Sequence, residues 1–173
     1  MSRRLVSPWP GPVEFSADKV YRYRLERNQR ADFTERHGLT RTVAFVMLNP
    51  SMADASHDDP TVRRCVNFAR AWDFARLVVV NLFALVATDP AALRTHPDPV
   101  GPDNDAAIDR AVREVDVVVC AWGVHGALRN RAADVLARIP RPYALRVAKG
   151  GEPAHPLYLP GGLWPVPYAR RTP

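Results

Sequence analysis

The sequence predicts an α/β protein of three layers, in which helices cover both faces of a central, mostly parallel sheet of four strands. Mostly apolar runs of strand length occur at 42–48, 77–83 and 116–122. Such runs are typical of strands that are buried on both faces, as in parallel sheets. Amphipathic helical patterns separate them, and this alternation favours a parallel sheet with helices on both sides. We expect residues 1–173 to form a single domain.

The two ends of the chain are rich in proline and show no periodicity. We expect residues 1–19 to form a mobile arm or to cover a sheet edge, and residues 161–173 to be irregular. Between the first end and the central strands, residues 20–27 alternate apolar with charged side chains, which predicts a half-exposed strand. Residues 28–40 are polar and are predicted to form a loop.

The first central strand, 42–48, ends at Asn49-Pro50-Ser51. Proline cannot donate to a strand ladder, so the strand stops there. Asn49, Ser51 and the nearby Asp54 therefore follow its carboxyl end, where open α/β sheets bind ligands. An ordinary turn is the alternative interpretation, since Asn, Pro and Ser are common turn formers.

A helix is predicted from about residue 61 to 72, with Asp59 as its N-cap and Pro60 at its first position. Its N-terminus opens onto the same sheet edge as Asn49 and is suited to binding an anion. Arg63 and Arg64 lie in its first turn. They either bind phosphate there or belong to a solvated face.

The second central strand, 77–83, contains an asparagine, Asn81. A buried amide that lacks partners costs about 1–3 kcal/mol, so Asn81 pairs either with backbone or water or with a ligand. Next come a long loop at 84–102 with a helical turn near 90–94, and a helix at 104–115 that Asp103 could cap. A third strand at 116–122, a helix at 124–139 and a fourth strand at 143–147 complete the predicted core, and a polar loop with His155-Pro156 follows.

The net charge of +6 and the pI of 9.9 indicate a polyanionic partner. Eight Lys or Arg and two acidic residues lie between residues 129 and 173. Arginine outnumbers lysine by 22 to 2, however, and a bias in genome composition would also explain part of this charge. No apolar run reaches the roughly 20 residues that a membrane span needs. We expect a cytoplasmic monomer.

The sequence lacks the motifs of several common sites. It has neither G-x-G-x-x-G nor G-x-x-x-x-G-K-[ST], and no G-x-S-x-G. Cys65 and Cys120 are far apart and are interpreted as small core residues rather than metal ligands. We therefore expect no cofactor and no metal. The polar residues that remain near strand ends are amides, one carboxylate and histidines, which suit water positioning and stabilisation of a developing anion.

Five short motifs resemble a small uncharacterised bacterial family over roughly residues 20–160: 47–51 (MLNPS), 58–61 (DDPT), 80–83 (VNLF), 122–123 (WG) and 155–159 (HPLYL). More distantly, the order of four of them is similar to that of the uracil-DNA glycosylase superfamily. Those enzymes carry an Asp-Pro or Asn-Pro after the first core strand, an Asn that closes an apolar strand, a Trp-Gly, and a His-Pro loop near the C-terminus.

The glycosylase resemblance implies a role for each matching residue. Asn49 would position the water that attacks the sugar C1′, Asn81 would pair with the edge of an extruded base, and His155 would donate to a base oxygen as charge builds on it. Asp54 has no counterpart among these motifs, and as the carboxylate near Asn49 it is also expected to be catalytic. The expected substrate-binding residues are Pro50, Ser51, Asn81, Phe83, Trp122, Gly123, Arg63, Arg64 and Pro156, of which Trp122 and Gly123 would shape a wall without doing chemistry.

The resulting hypothesis is a metal-independent hydrolase that cleaves the N-glycosidic bond of a DNA base by water attack. Two alternatives remain open. One is a module with a glycosylase-like pocket that binds a base or nucleic acid without cleaving it. The other is a hydrolase of free nucleosides or nucleotides, which salt would distinguish because DNA affinity falls steeply with ionic strength.

Overall fold

A computed structural model describes residues 5–169 of the chain. The strands are β1 Leu5–Val6, β2 Val13–Phe15, β3 Arg22–Asn28, β4 Thr42–Met47, β5 His57–Asp58, β6 Arg76–Asn81, β7 Val117–Cys120, β8 Pro142–Ala144 and β9 Val166–Pro167. The α-helices are α1 Ala31–His37, α2 Pro60–Ala71, α3 Ala92–Thr95, α4 Asn104–Glu114 and α5 Arg131–Leu136, and 3-10 segments occupy Val124–Asn130 and Pro156–Tyr158.

The main sheet has seven strands in the order β2-β3-β6-β4-β7-β8-β9, and β1 pairs separately with β5. The mixed α/β class is confirmed. The four central strands β6, β4, β7 and β8 are parallel to one another. The prediction of a four-stranded, mostly parallel sheet is nevertheless wrong for the complete structure. The main sheet has seven strands, and four of the seven strand pairs formed within residues 5–169 are antiparallel.

Both proline-rich ends contribute strands to these sheets, contrary to the expectation of an irregular arm and tail. β1 and β2 come from the N-terminal segment and β9 from the C-terminal one. Proline is tolerated in such positions because edge strands and strand ends need fewer backbone donors. Trp9, between β1 and β2, is almost fully buried in the core. Residues 1–4 and 170–173 of the predicted ends lie outside the described residues.

The central strands bury both faces, as their continuous apolar runs predict. In β4, Val43 and Phe45 pack on one side in a core cluster that includes the apolar face of α2. Ala44 and Val46 pack on the other side in a cluster that includes residues of α4 and α5. No helix among the described residues is long and apolar enough to cross a membrane.

Two helical segments also differ from the prediction. The segment 28–40, predicted to be a loop, contains α1, which buries none of its residues. The predicted helix 124–139 is interrupted, since Arg129 and Asn130 adopt left-handed conformations with φ of 54° and 57°. The break lets Arg131 donate to the backbone oxygen of Leu82 and pair with Asp105.

Strand β3 is buried rather than half-exposed, because its charged side chains find partners inside the protein. Its pairing with β2 contains a register shift, which we call the β3 bulge. Arg22 and Arg24 are two residues apart and would share a face in a regular strand. Across the bulge they diverge: Arg22 donates to the backbone oxygen of Ala53, whereas Arg24 pairs with Glu114 of α4. A bulge commonly re-aims a side chain in this way.

Candidate active site

A cavity of about 610 Å³ opens at the carboxyl ends of β4, β6 and β7. The first turn of α2 and the segment 154–159 close its other sides. Ligand sites of α/β sheets occur at this edge, and the volume is in the range of small-molecule pockets. Six of the predicted site residues line it together: Asn49, Ser51, Asn81, Trp122, Gly123 and His155.

Asn49 is held by the loops that follow β4 and β6. Its side-chain nitrogen Nδ2 donates to the backbone oxygen of Pro50 at 3.1 Å and to that of Ala87 at 2.8 Å. An amide nitrogen has two hydrogens, so these bonds use both of them. The Asn49 oxygen Oδ1 is therefore the group that can accept a hydrogen bond from a molecule in the cavity.

Asn81 is the last residue of β6 and its side chain is buried, with 1% of the residue exposed. Its backbone oxygen accepts from Asn104 at 3.0 Å. Neither Nδ2 nor Oδ1 of its side chain has a hydrogen-bond partner among residues 5–169. Leaving such groups unpaired costs about 1–3 kcal/mol. The structure thus excludes a backbone partner for this amide within the described chain and leaves a ligand or water to fill that role.

His155 begins the 3-10 segment Pro156–Tyr158, and its Nδ1 accepts from the backbone nitrogen of Leu157 at 3.3 Å. Burial lowers the pKa of His155 below its ordinary value of 6.5, and the charge of Asp59 opposes this only partly. The ring is therefore neutral at pH 7. Because Nδ1 accepts, the single proton lies on Nε2, which makes that nitrogen a hydrogen-bond donor.

Trp122 and Gly123 form the wall next to His155. The indole nitrogen of Trp122 donates to Oε2 of Glu152 at 2.6 Å, which fixes the ring in the core. Gly123 has a φ of 76° and its nitrogen donates to the backbone oxygen of Pro153 at 2.9 Å. A side chain at Gly123 would touch Cβ of His155 at 3.4 Å. The Trp-Gly pair thus sets the position of the histidine loop.

The other predicted site residues do not line the cavity: Pro50, Asp54, Arg63, Arg64, Phe83 and Pro156. Asp54 accepts from the backbone nitrogens of Ser56 and His57 and so closes a turn. Phe83 is fully buried in the core. Pro50 and Pro156 are buried beside the lining residues Asn49 and His155.

The two arginines of the first α2 turn have structural partners. Arg63 pairs with Asp58 at 2.9 Å. Arg64 donates to the backbone oxygen of Leu159 and lies over the ring of Phe68. Neither guanidinium lines the cavity, so the structure gives no support to the expected phosphate contacts from this pair.

Two charged residues of the cavity, Asp59 and Arg22, are not among the site residues that the sequence predicts. Asp59 was recognised only as a helix cap, and its Oδ1 does accept from the nitrogen of Val62 at 2.8 Å. It is also the single acidic residue in the cavity lining formed by the described chain. The alternation of residues 20–27 predicts a half-exposed strand with its charged side chains in solvent, yet Arg22 is 2% exposed and lines the cavity.

Several arginines of the C-terminal half are engaged in ion pairs or hydrogen bonds within the protein. Arg131 pairs with Asp105, and Arg138 pairs with Asp105 and Asp109. Arg129 donates to two backbone oxygens. Among the described residues of this half, Arg146 and Lys149 are exposed and lie within two residues of the lining residue Ala148.

Comparison with known proteins gives a family but no characterised relative. No curated protein matches the sequence, and no solved structure does. The model of a family described as proteins of unknown function, DUF1643, matches residues 22–157, a segment that runs from Arg22 past His155 and so contains the candidate site. The predicted resemblance to an uncharacterised family is thereby confirmed, and the chain belongs to the DUF1643 family.

Proposed function

We propose that the protein hydrolyses the N-glycosidic bond of a nucleobase by direct attack of water at C1′, in a site that resembles those of uracil-DNA glycosylases. The observation that carries this proposal is the amide of Asn81, which is buried, faces no partner in residues 5–169 and lines the cavity. A donor and an acceptor side by side match the edge of a base that offers a carbonyl next to an N–H.

The bond to be broken would lie between Asn81 and Asn49. The free oxygen of Asn49 accepts from a water and directs it at C1′, because its nitrogen is fixed by two backbone oxygens. The C1′–N bond breaks with its electron pair on the base, and the water oxygen bonds to C1′. The water loses one proton and the base gains one, so the reaction needs no other reactant.

His155 stabilises the base as it leaves. Its neutral ring carries the proton on Nε2, and this N–H donates to an oxygen of the base on which negative charge develops. Oriented donors of this kind contribute about 3 kcal/mol to transition-state stabilisation. Asp59, the acidic residue of the cavity lining, replaces Asp54 as the carboxylate that can offset positive charge on the sugar.

The architecture supports the glycosylase-like assignment. The parallel centre of the sheet has helices on both faces, and the cavity lies at the carboxyl ends of its strands. Its volume accommodates one nucleotide, so a base in a duplex would have to be flipped out of the stack to enter. Leu157 and Tyr158 are exposed at the cavity, the latter by 82%, where they could fill the gap that a flipped base leaves.

The test is a base-release assay on single and double strands that carry uracil, modified bases or mismatches. We expect release by the wild-type protein and a loss of at least 100-fold in Asn49→Ala and His155→Ala. Asn67→Ala and His37→Ala change exposed residues of the same types and should retain full activity. If both cavity variants kept wild-type turnover, the assignment would fail, and binding without release would indicate a base-reading module instead.

A hydrolase of free nucleosides or nucleotides is the second candidate, and the small number of free cations around the cavity within residues 5–169 favours it. Arg63, Arg64 and Arg131 all have structural partners rather than facing the cavity mouth. Base release from a nucleic acid should weaken steeply between 50 and 200 mM salt. Turnover of a free nucleoside should change little over the same range.

A further inference from the structure

Arg22 places a positive charge inside the cavity and has no ion-pair partner within residues 5–169. The residue is 2% exposed, and its Nη1 donates to the backbone oxygen of Ala53 at 2.8 Å. Its Nε has no hydrogen-bond partner within residues 5–169. Asp59 is close enough to raise the pKa of Arg22, but the stronger effect of burial lowers that pKa to about 10. Arg22 therefore stays charged at pH 7.

A buried cation without an ion-pair partner costs free energy, since burial removes its hydration and no opposite charge replaces it. The other buried arginines of β3 illustrate the contrast. Arg24 pairs with Glu26 and Glu114, and Arg27 pairs with Asp58. Among these three arginines, Arg22 is the one that lines the cavity and that has no carboxylate partner in the described part of the chain. Because the β3 bulge turns it away from the face of Arg24, its position is a specific feature of the fold.

The unpaired atoms of Arg22 and Asn81 define what a ligand must offer. Arg22 Nε and Asn81 Nδ2 are donors, and Asn81 Oδ1 is an acceptor. The complementary group presents one N–H and carbonyl oxygens on either side of it, which is an imide. Two carbonyl oxygens have four lone pairs, enough for donors from Arg22, Asn81 and His155 together.

We propose that Arg22 is a further catalytic residue, which binds an oxygen of an imide-containing base through Nε and holds the negative charge of that base as it leaves. This inference rests on the proposed function and names its substrate class as a 2,4-dioxopyrimidine or a 2,6-dioxopurine. When the C1′–N bond breaks, the electron pair spreads onto the imide oxygens. The guanidinium that faces them then gains a counter-ion, so its interaction is stronger in the transition state than before it.

The experiment measures single-turnover release from strands that carry uracil, 5-fluorouracil or xanthine, by wild type, Arg22→Met and Arg22→Lys. We expect Arg22→Met to slow uracil release about 100-fold. 5-Fluorouracil leaves as a more stable anion and should be slowed markedly less. Arg22→Lys, which keeps the charge, should recover most of the rate. Release of uracil would identify the substrate as a 2,4-dioxopyrimidine, and release of xanthine would identify it as a 2,6-dioxopurine. Arg24→Met, on the same strand but facing α4, should match wild type.

If Arg22 had a merely structural role, Arg22→Met would slow the release of uracil and of 5-fluorouracil equally. That result, or an unchanged release rate in Arg22→Met, would overturn the inference while leaving the proposed function intact. If wild type released no base at all, the proposed function would fail instead. Calorimetry with free uracil and 3-methyluracil then decides recognition. Binding of uracil that is at least tenfold weaker in Arg22→Met and lost for 3-methyluracil supports the inference, and equal or no binding of uracil overturns it.

Discussion

Asp58 joins two arginines in the interior, and its replacement by asparagine should strongly destabilise the protein. Its Oδ1 accepts from Nε of Arg27 at 2.8 Å and its Oδ2 accepts from Nε of Arg63 at 2.9 Å. The side chains of Arg27 and Asp58 are fully buried. Asp58→Asn keeps the shape but removes the charge, and it turns an amide NH₂ group toward one of the two guanidiniums.

The magnitude follows from the burial of each partner. Breaking one side of a buried ion pair costs about 3–5 kcal/mol, because the remaining charge stays in a poor solvent. Arg63 retains 26% exposure and regains water, so it adds little to the loss. Arg27 keeps its bonds to the backbone oxygens of Asp54 and His57. We therefore expect a loss of about 3 kcal/mol, a large share of the roughly 5–15 kcal/mol typical of a folded domain.

Equilibrium unfolding in urea, with a common slope for wild type and variant, would measure this loss. The matched control is Asp32→Asn, which removes the carboxylate of an Arg30–Asp32 pair whose side chains are 76% and 56% exposed. An exposed pair contributes about 0–1 kcal/mol. A free-energy change for Asp58→Asn no larger than that for Asp32→Asn would refute the reasoning.

Three other perturbations test different parts of the structure. Gly126→Ala should cost about 1–3 kcal/mol in unfolding experiments, since its Cβ would lie 2.1 Å from Cδ1 of Trp122, whereas Gly150→Ala meets nothing within 4 Å and should be close to neutral. The pKa of His155 is lowered on folding, so the unfolded chain binds the proton of this group more tightly. The stability that this group contributes is fully present above pH 6.5 and is lost as the pH falls below it. Unfolding measured as a function of pH should show this loss on the acid side for wild type and not for His155→Asn. The two cysteines are buried with raised thiol pKa values and should react with a thiol reagent only after denaturant is added.

The parallel centre of the fold was accessible from sequence because strands buried on both faces leave continuous apolar runs. Elements without such a pattern were not. Helix α1 buries no residue, so no apolar stripe could reveal it. The break after Asn130 depends on Arg131, which reaches the backbone oxygen of Leu82, 49 residues earlier in the chain. Local propensity cannot encode a contact of that range.

The site was predictable to the extent that it consists of strand ends. Asn49, Asn81 and Trp122 follow three parallel neighbours, so their convergence on one cavity follows from topology. Their chemical roles stay predictions. Arg22 could not be placed, because its direction depends on a shift in strand pairing that the sequence does not mark. The sequence predicts Asp54 as the catalytic carboxylate and Asp59 as a helix cap. Asp54 closes a turn instead and Asp59 lines the cavity, and both positions depend on how the loop folds onto the sheet.

Because of the β3 bulge, the charge of the cavity depends on the number of residues in β2 and β3 and not only on their types. Inserting one residue between Glu14 and Phe15 of β2, opposite the bulge, would restore regular pairing and place Arg22 on the same face as Arg24, toward α4. The cavity would then keep the negative charge of Asp59 without the positive charge of Arg22, although the composition of charged side chains would be unchanged. A single-codon insertion in β2 would therefore be a route by which such a protein changes the ligands it accepts without any change among its charged residues.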